Sequence, residues 1–262
     1  MKRFVTGVLV GFLSAGMAYG EEERSGWYAA DEIYGSSEME AAEETVREHH
    51  GGGTTLFLQA DRLEYQTGDG DPLLVWDAQG WFGGPLDKFW VKAEGEYLID
   101  AGNFEEAEFQ ALYSHAIGPY FDLQAGARYD IEPDPSRAYG VIGIQGLAPQ
   151  WFEIDAAAFI SHEGDVSARF EAEYELMLTQ RLILQPRTEL NFAVQRVEDL
   201  GIGSGLSTAE AGLRLRYEII RKFAPYIGVS WNWKVGETAA FARAEGEDTE
   251  SVSFVAGLRM WY

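Results

Sequence analysis

From Thr54 onward, apolar and polar side chains alternate in segments of roughly 9 to 14 residues, parted by Gly, Asp, Pro or Asn. In Lys88 to Leu98, Phe89, Val91, Ala93, Gly95 and Tyr97 share one face, while Lys88, Lys92, Glu94 and Glu96 share the other. In Tyr120 to Ile131, Phe121, Leu123, Ala125, Ala127, Tyr129 and Ile131 oppose Asp122, Gln124, Arg128 and Asp130. Val166 to Leu178 sorts in the same way, with Arg169, Glu171, Glu173 and Glu175 on the polar side. A helix would scatter these charges around its circumference, whereas a strand places them all on one face. The pattern predicts an all-β chain whose two faces meet different solvents. Alternation alone is also compatible with a soluble, lipocalin-like barrel.

The final segment narrows this. Val252, Phe254, Ala256, Leu258, Met260 and the last residue, Tyr262, fall on one face, and Arg259 falls on the other. Apolar residues at alternate positions back from a closing aromatic are similar to the terminal signal of outer-membrane barrels. Counting comparable segments predicts about twelve antiparallel strands in an up-and-down transmembrane β-barrel. Connections near Gly84-Pro85, Gly118-Pro119, Pro149-Gln150, Thr179-Gln180 and Lys222 are short, whereas Glu132 to Arg137, Gln195 to Ser207 and Gly236 to Glu250 are expected to be longer. Short turns on the periplasmic side and long loops outside then put both termini in the periplasm.

The first fifty residues break the two-residue period. Met1-Lys2-Arg3, the apolar run to Met17 and Ala18-Tyr19-Gly20 read as a secretory signal peptide over 1–20. Residues 21–53 are acidic and Gly-ended, which predicts a flexible periplasmic segment with a short helix around Glu38 to Glu48. The barrel is then 54–262. After the signal peptide no apolar run is long enough for a membrane helix, so a membrane span must be built of strands. The chain has no Cys, hence no disulfide framework.

Charge changes the picture of partners and of the interior. With 43 Asp and Glu against 20 Lys and Arg, the net charge is -23, which argues against nucleic acid and for cations. The inward-facing face carries Lys92, Glu94, Glu96, Glu106, Glu108, Arg128, Glu153, Asp155, Arg169, Glu171, Glu173, Arg187, Glu189, Arg214, Arg216 and Glu218. Such groups either lock together as ion-pair ladders that fill a small barrel or line a polar path; the two are compatible.

Metal-ligand candidates are few. His49-His50, flanked by Glu48 and glycines, is the best local pair for Cu(II) or Zn(II). Met39, His115, His162 and Met177 are further candidates: His115 beside a short turn, His162 in an outer loop, Met177 on the lumenal parity near the periplasmic rim. Met260 shares the lipid-facing parity and reads as packing. His162 beside Glu163 and Asp165 lacks a nucleophile or an oriented partner, so no catalytic site is expected.

Several blocks carry a family resemblance. Arg47-Glu48-His49-His50-Gly51-Gly52, Asp61-Arg62-Leu63-Glu64-Tyr65, Trp76-Asp77-Ala78-Gln79-Gly80-Trp81, Gln145-Gly146-Leu147-Ala148-Pro149, the stretch from Leu178 to Arg187, Leu213 to Glu218 and Phe223 to Val229 resemble the copper-resistance protein B family. The resemblance implies an outer-membrane protein that binds copper ions or passes them across that membrane, alongside a periplasmic copper-binding partner. The family's Met- and His-rich N-terminal segment is represented here only by Met39, His49 and His50. The barrel's lumenal groups or a partner must then contribute more. A small non-specific porin or a closed structural barrel is the competing expectation.

Overall fold

A computed structural model describes residues 31–46 and 53–262. The expected signal peptide and His49-His50 lie outside the described residues. The chain divides into two units, Met1–Gly51 and Gly52–Tyr262. In the first, α1 (Asp31–Tyr34) is a single turn and α2 (Ser36–Val46) falls where Ala- and Glu-rich sequence favours helix. The Met39 amide donates to the Gly35 carbonyl, joining the two turns of chain. No described helix is long and apolar enough to cross a membrane.

The second unit is a closed antiparallel barrel of twelve staves. Its strands are β1 (Thr55–Gly68), β2 (Leu73–Gly83), β3 (Asp87–Leu98), β4 (Asn103–Ala116), β5 (Phe121–Glu132) and β6 (Arg137–Ala148). They continue as β7 (Phe152–Ser161), β8 (Val166–Tyr174), β9 (Leu176–Met177), β10 (Leu182–Ala193), β11 (Gly205–Tyr217), β12 (Phe223–Lys234) and β13 (Glu250–Trp261). The segment expected as one strand from Val166 to Leu178 is interrupted at Glu175, so β8 and β9 share one stave against β10. Each stave pairs with its chain neighbour, and β13 closes on β1 through Ala60↔Met260 and Glu64↔Gly257. Closure leaves no unpaired sheet edge, the condition for strands to stand in hydrocarbon.

The two faces have the polarity of a membrane barrel. Phe89, Phe109, Ile142, Ile160, Ile227 and Phe254 are exposed, while Gln66, Lys92, Gln124, Arg187 and Arg214 are buried. A water-soluble barrel would reverse this, so the outward apolar belt identifies the surrounding solvent as lipid. Outward aromatics collect toward each end: Phe82, Phe89, Tyr120 and Trp151 at the end where β1 starts and β13 stops, hereafter the terminal end; Tyr65, Phe104, Tyr129 and Trp233 at the other. Such girdles sit where hydrocarbon gives way to headgroups.

Connections at the terminal end are short, and the two longest lie at the opposite end; the Glu132 to Arg137 connection, expected to be longer, is instead a tight turn because β5 and β6 run on to Glu132 and Arg137. The stretch after Lys234, expected as an irregular loop, instead contains α3 (Gly236–Glu245). Thr238, Ala239 and Ala242 bury its small-residue face, and Gly246 ends it in a left-handed conformation. Gly203 leaves the space: a Cβ there would stand 2.3 Å from the Glu237 Cβ.

Candidate functional site

The alternation that sends apolar groups to lipid sends charge inward, and the register then decides which charges meet. Pairings Asp155↔Glu171, Glu171↔Glu189 and Glu189↔Glu210 set four carboxylates in one row across β7, β8, β10 and β11. Like charges side by side are tolerated only when cations are inserted between them. Arg187 does this, reaching Glu171 at 2.6 Å, Glu189 at 2.9 Å and Glu210 at 3.3 Å. The Lys92 ammonium, from β3, caps the row at Asp155.

A second row has the opposite character. Trp81, Trp90, Leu112, Gly126, Val141 and Phe159 pair in sequence across β2 to β7, and Trp90, Leu112, Val141 and Phe159 pack as an apolar cluster inside the lumen. The Arg128 guanidinium lies 4.8 Å from the Phe159 ring centroid and 5.3 Å from that of Tyr139. An aromatic and aliphatic patch on β3, β4, β6 and β7 therefore interrupts an otherwise charged lumen.

From β8 the Arg169 Nη1 donates to Glu94 on β3 at 2.8 Å and its Nη2 to Glu108 on β4 at 2.8 Å; its Nε donates to Asn191 at 3.3 Å. Glu108 also holds Arg128 at 2.6 Å. β3 and β8 lie on nearly opposite sides of the ring, so this guanidinium bridges the lumen. Arg259 makes a second crossing, to Glu175 at 2.8 Å and Asp61 at 3.2 Å, and Arg216 meets the same Glu175 at 2.6 Å.

Within the lumen is a cavity of about 480 Å³, whose wall includes Glu94 and Asp61, one carboxylate from each crossing. It extends from Pro119 and Tyr120 at the terminal end to Arg187 and Arg214, and its carboxylates include Asp61, Asp77, Asp122, Glu153, Asp155, Glu171 and Glu173. Glu153 and Glu173 face one another in register. Oxygen donors dominate the wall, the chemistry of hard and borderline divalent ions rather than of soft monovalent ones. Among the described residues no group of three His, Cys, Asp or Glu is arranged to hold a metal ion.

The deepest ion pair lies at the barrel seam. Glu64 is 1% exposed and receives Arg214 Nε at 2.5 Å, the Tyr226 hydroxyl at 2.9 Å and Gln66 Nε2 at 3.0 Å. Tyr226 reaches Glu64 by lying over Gly257, where a Cβ would stand 2.6 Å from its ring and hydroxyl. At the opposite mouth the charges are exposed. Arg196 donates to Glu237 at 2.5 Å, and Ser204 donates to the same carboxylate from its amide at 3.2 Å and its hydroxyl at 3.1 Å. The hydrogen bond from Arg196, with those from Ser204, holds the Glu237 carboxyl at about 2, below the ordinary carboxylate range.

The structure separates the metal candidates. His115 is exposed near the terminal rim, its Nδ1 2.7 Å from Asp87 Oδ1. His162 is exposed at the opposite end, its Nδ1 accepting from the Ala138 amide at 3.4 Å. Met177 pairs with Ile183 on the inward parity, yet at the rim it is 70% exposed. Met39 belongs to the N-terminal unit. Of the inward set expected from the sequence, Lys92, Glu94, Glu153, Asp155, Glu171, Glu173, Arg187 and Arg214 border the cavity; Asp61, Arg62, Glu64, Asp77 and Glu210 are not in that set. In β1 a bulge between Ala60 and Arg62 shifts the period by one, and Glu210 sits among small residues that show weak alternation.

A closed strand ring with lipid-facing apolar side chains and a charge-filled interior defines an outer-membrane-type β-barrel. Among solved structures, the NanC porin in its rhombohedral crystal form is similar in fold at a TM-score of 0.50 and 12% identity, over 79% of this chain and 99% of that one. The family model for Copper resistance protein B precursor (CopB) matches residues 54–262, and the chain belongs to that family. It is 45% identical over 213 residues to Copper resistance protein B homolog of Pseudomonas syringae pv. tomato (strain ATCC BAA-871 / DC3000), covering 81% of this chain and 72% of the relative. It is likewise 45% identical to Copper resistance protein B of Escherichia coli, over 81% and 71% of the two chains.

Proposed function

We infer that this barrel serves copper resistance by taking copper(II) ions into its acid-lined lumen and passing them across the outer membrane, with both termini in the periplasm. The observation that carries this is the in-register row Asp155, Glu171, Glu189 and Glu210 beside the cavity, in a chain of the copper-resistance family. Carboxylate and amide oxygens suit copper(II) rather than copper(I), and the cavity wall presents them from several strands. The carboxylates are held by arginines, so an ion moving along them exchanges partners rather than resting in a fixed cage.

The charge of the two mouths supports the orientation. Opposite-end connections carry Asp69, Asp71, Asp100, Asp134, Glu163 and Asp165 as well as the acids around α3, a surface that concentrates cations. His49-His50, with Met39, Met177 and His115, are proposed as copper contacts at the periplasmic side, where a periplasmic copper-binding protein would exchange the ion; His162 is proposed as a contact on the outside. The competing reading, a closed structural barrel, is favoured by the arginines that cross the lumen.

Copper(II) entry into liposomes holding the full chain, read by a trapped copper-quenched dye, tests the proposal beside copper tolerance of cells with and without the gene. Entry above that through a control barrel, and tolerance that depends on the gene, are expected. Equal entry and equal tolerance would overturn it.

A further inference from the structure

In a chain of net charge -23, nearly every described Lys and Arg meets a carboxylate. Lys88 holds Asp122, Arg137 holds Glu163 and Asp165, and Lys234 holds Glu247. Among the described residues, Arg181, Arg221, Lys222 and Arg243 make no ion pair. Three of these four fall in two adjoining turns at the terminal end. The turns are joined, since the Glu218 amide donates to the Arg181 carbonyl at 2.8 Å.

The same turns expose large apolar side chains: Met177 at 70%, Ile220 at 61%, Ile219 and Leu178 at about half. The patch continues to the end of β13. The Lys222 ammonium stands 5.2 Å from the Trp261 ring centroid and 4.8 Å from that of Tyr262, and Trp261 Nε1 donates to the Arg221 carbonyl at 2.8 Å. Unpaired cations directly beside exposed aliphatic and aromatic groups match one chemical class. A glycerophospholipid presents an anionic phosphate above acyl chains, in that vertical order, and the aromatic girdle marks the same level.

We propose that Arg181, Arg221 and Lys222, with the exposed Ile219 and Ile220 of the same turns, form a docking surface for an anionic phospholipid headgroup at the terminal rim. Free phosphate satisfies the cations and leaves the apolar half uncovered; a zwitterionic headgroup supplies the acyl chains without net attraction. The inference rests on the membrane orientation proposed above and is independent of copper.

The full-length protein in neutral detergent is offered phosphatidylglycerol or phosphatidylcholine, and retained lipid is counted by native mass spectrometry. The wild type should hold phosphatidylglycerol preferentially. R181Q, R221Q and K222Q should each weaken that preference about fivefold, and the triple variant on the order of a hundredfold. Heat-modifiable migration on a gel confirms that each variant is folded, so loss of lipid is not loss of barrel. A preference that survives in the folded triple variant, or is absent from the wild type, overturns the proposal. Rim-dependent binding of poly-glutamate without lipid preference would overturn it too, in favour of an acidic protein partner. Copper entry unchanged in the triple variant is the expected result and keeps this proposal separable from the copper reading.

Discussion

The ion pairs inside the barrel and those at its opposite mouth use the same residue types to different effect. Glu64 and Arg214 are almost wholly out of water and share their bonds with Tyr226 and Gln66. Arg196 and Glu237 have equally short contacts, yet both side chains remain substantially exposed. In the interior, losing one partner strands a charge without solvent; at the mouth, water replaces it. Geometry alone would rank the two pairs together, and burial separates them.

The largest effect expected from breaking this contrast is at the seam. Arg214→Ala leaves the Glu64 carboxylate buried without its main cation and should cost about 3–5 kcal/mol, read by urea unfolding from detergent micelles. An unfolding midpoint equal to that of the wild type would show that the seam pair adds nothing.

Arg169→Gln comes next, because it removes a bridge rather than a foundation. Glu94 and Glu108 lose a shared cation and their repulsion draws them apart, so single-channel conductance should rise on the order of severalfold. Conductance identical to wild type would place the constriction at the Arg259 crossing instead.

The smallest effect belongs to the mouth. The Glu237 carboxyl is held at about 2, below its ordinary value near 4.5. A depressed carboxylate gives its stabilisation in full above the unfolded value and loses it as pH falls through that range toward about 2. Hydrogen-exchange protection in α3, corrected for the intrinsic pH dependence of amide exchange, should thus be steady from neutral pH to about 5 and fall below it. Arg196→Ala should produce the acid-like loss of protection already at neutral pH, and a pH dependence unchanged by that substitution would assign the effect to other groups.

How far these features could be read from sequence depended on whether the alternation was intact. Lys92, Glu94 and Glu96 were legible as inward because Phe89, Val91 and Tyr97 frame them at a strict period of two. Glu64 was not, since the β1 bulge moves it out of phase with Gln59. The row from Asp155 to Glu210 was also hidden: each carboxylate was visible, but alignment across four strands depends on register, which alternation does not fix. Helix α3 was missed because Gly236, Thr238 and a run of alanines carry little amphipathic contrast; its order comes from packing on Gly203 and from the Arg196 and Ser204 contacts. The copper relation came from blocks of sequence resembling a family, and no arrangement of described ligands supplies it.

Gly257 has one further consequence, in the order of assembly. Tyr226 meets Glu64 across 162 positions of chain and Arg214 meets it across 150. Neither contact can exist while the first and last staves are apart. The most deeply buried ion pair is therefore absent while the first and last staves are apart and arrives only when β13 docks on β1, with Gly257 leaving clearance for the ring that passes over it. Closure is thus rewarded late and all at once, which favours a finished ring over a sheet left with two free edges.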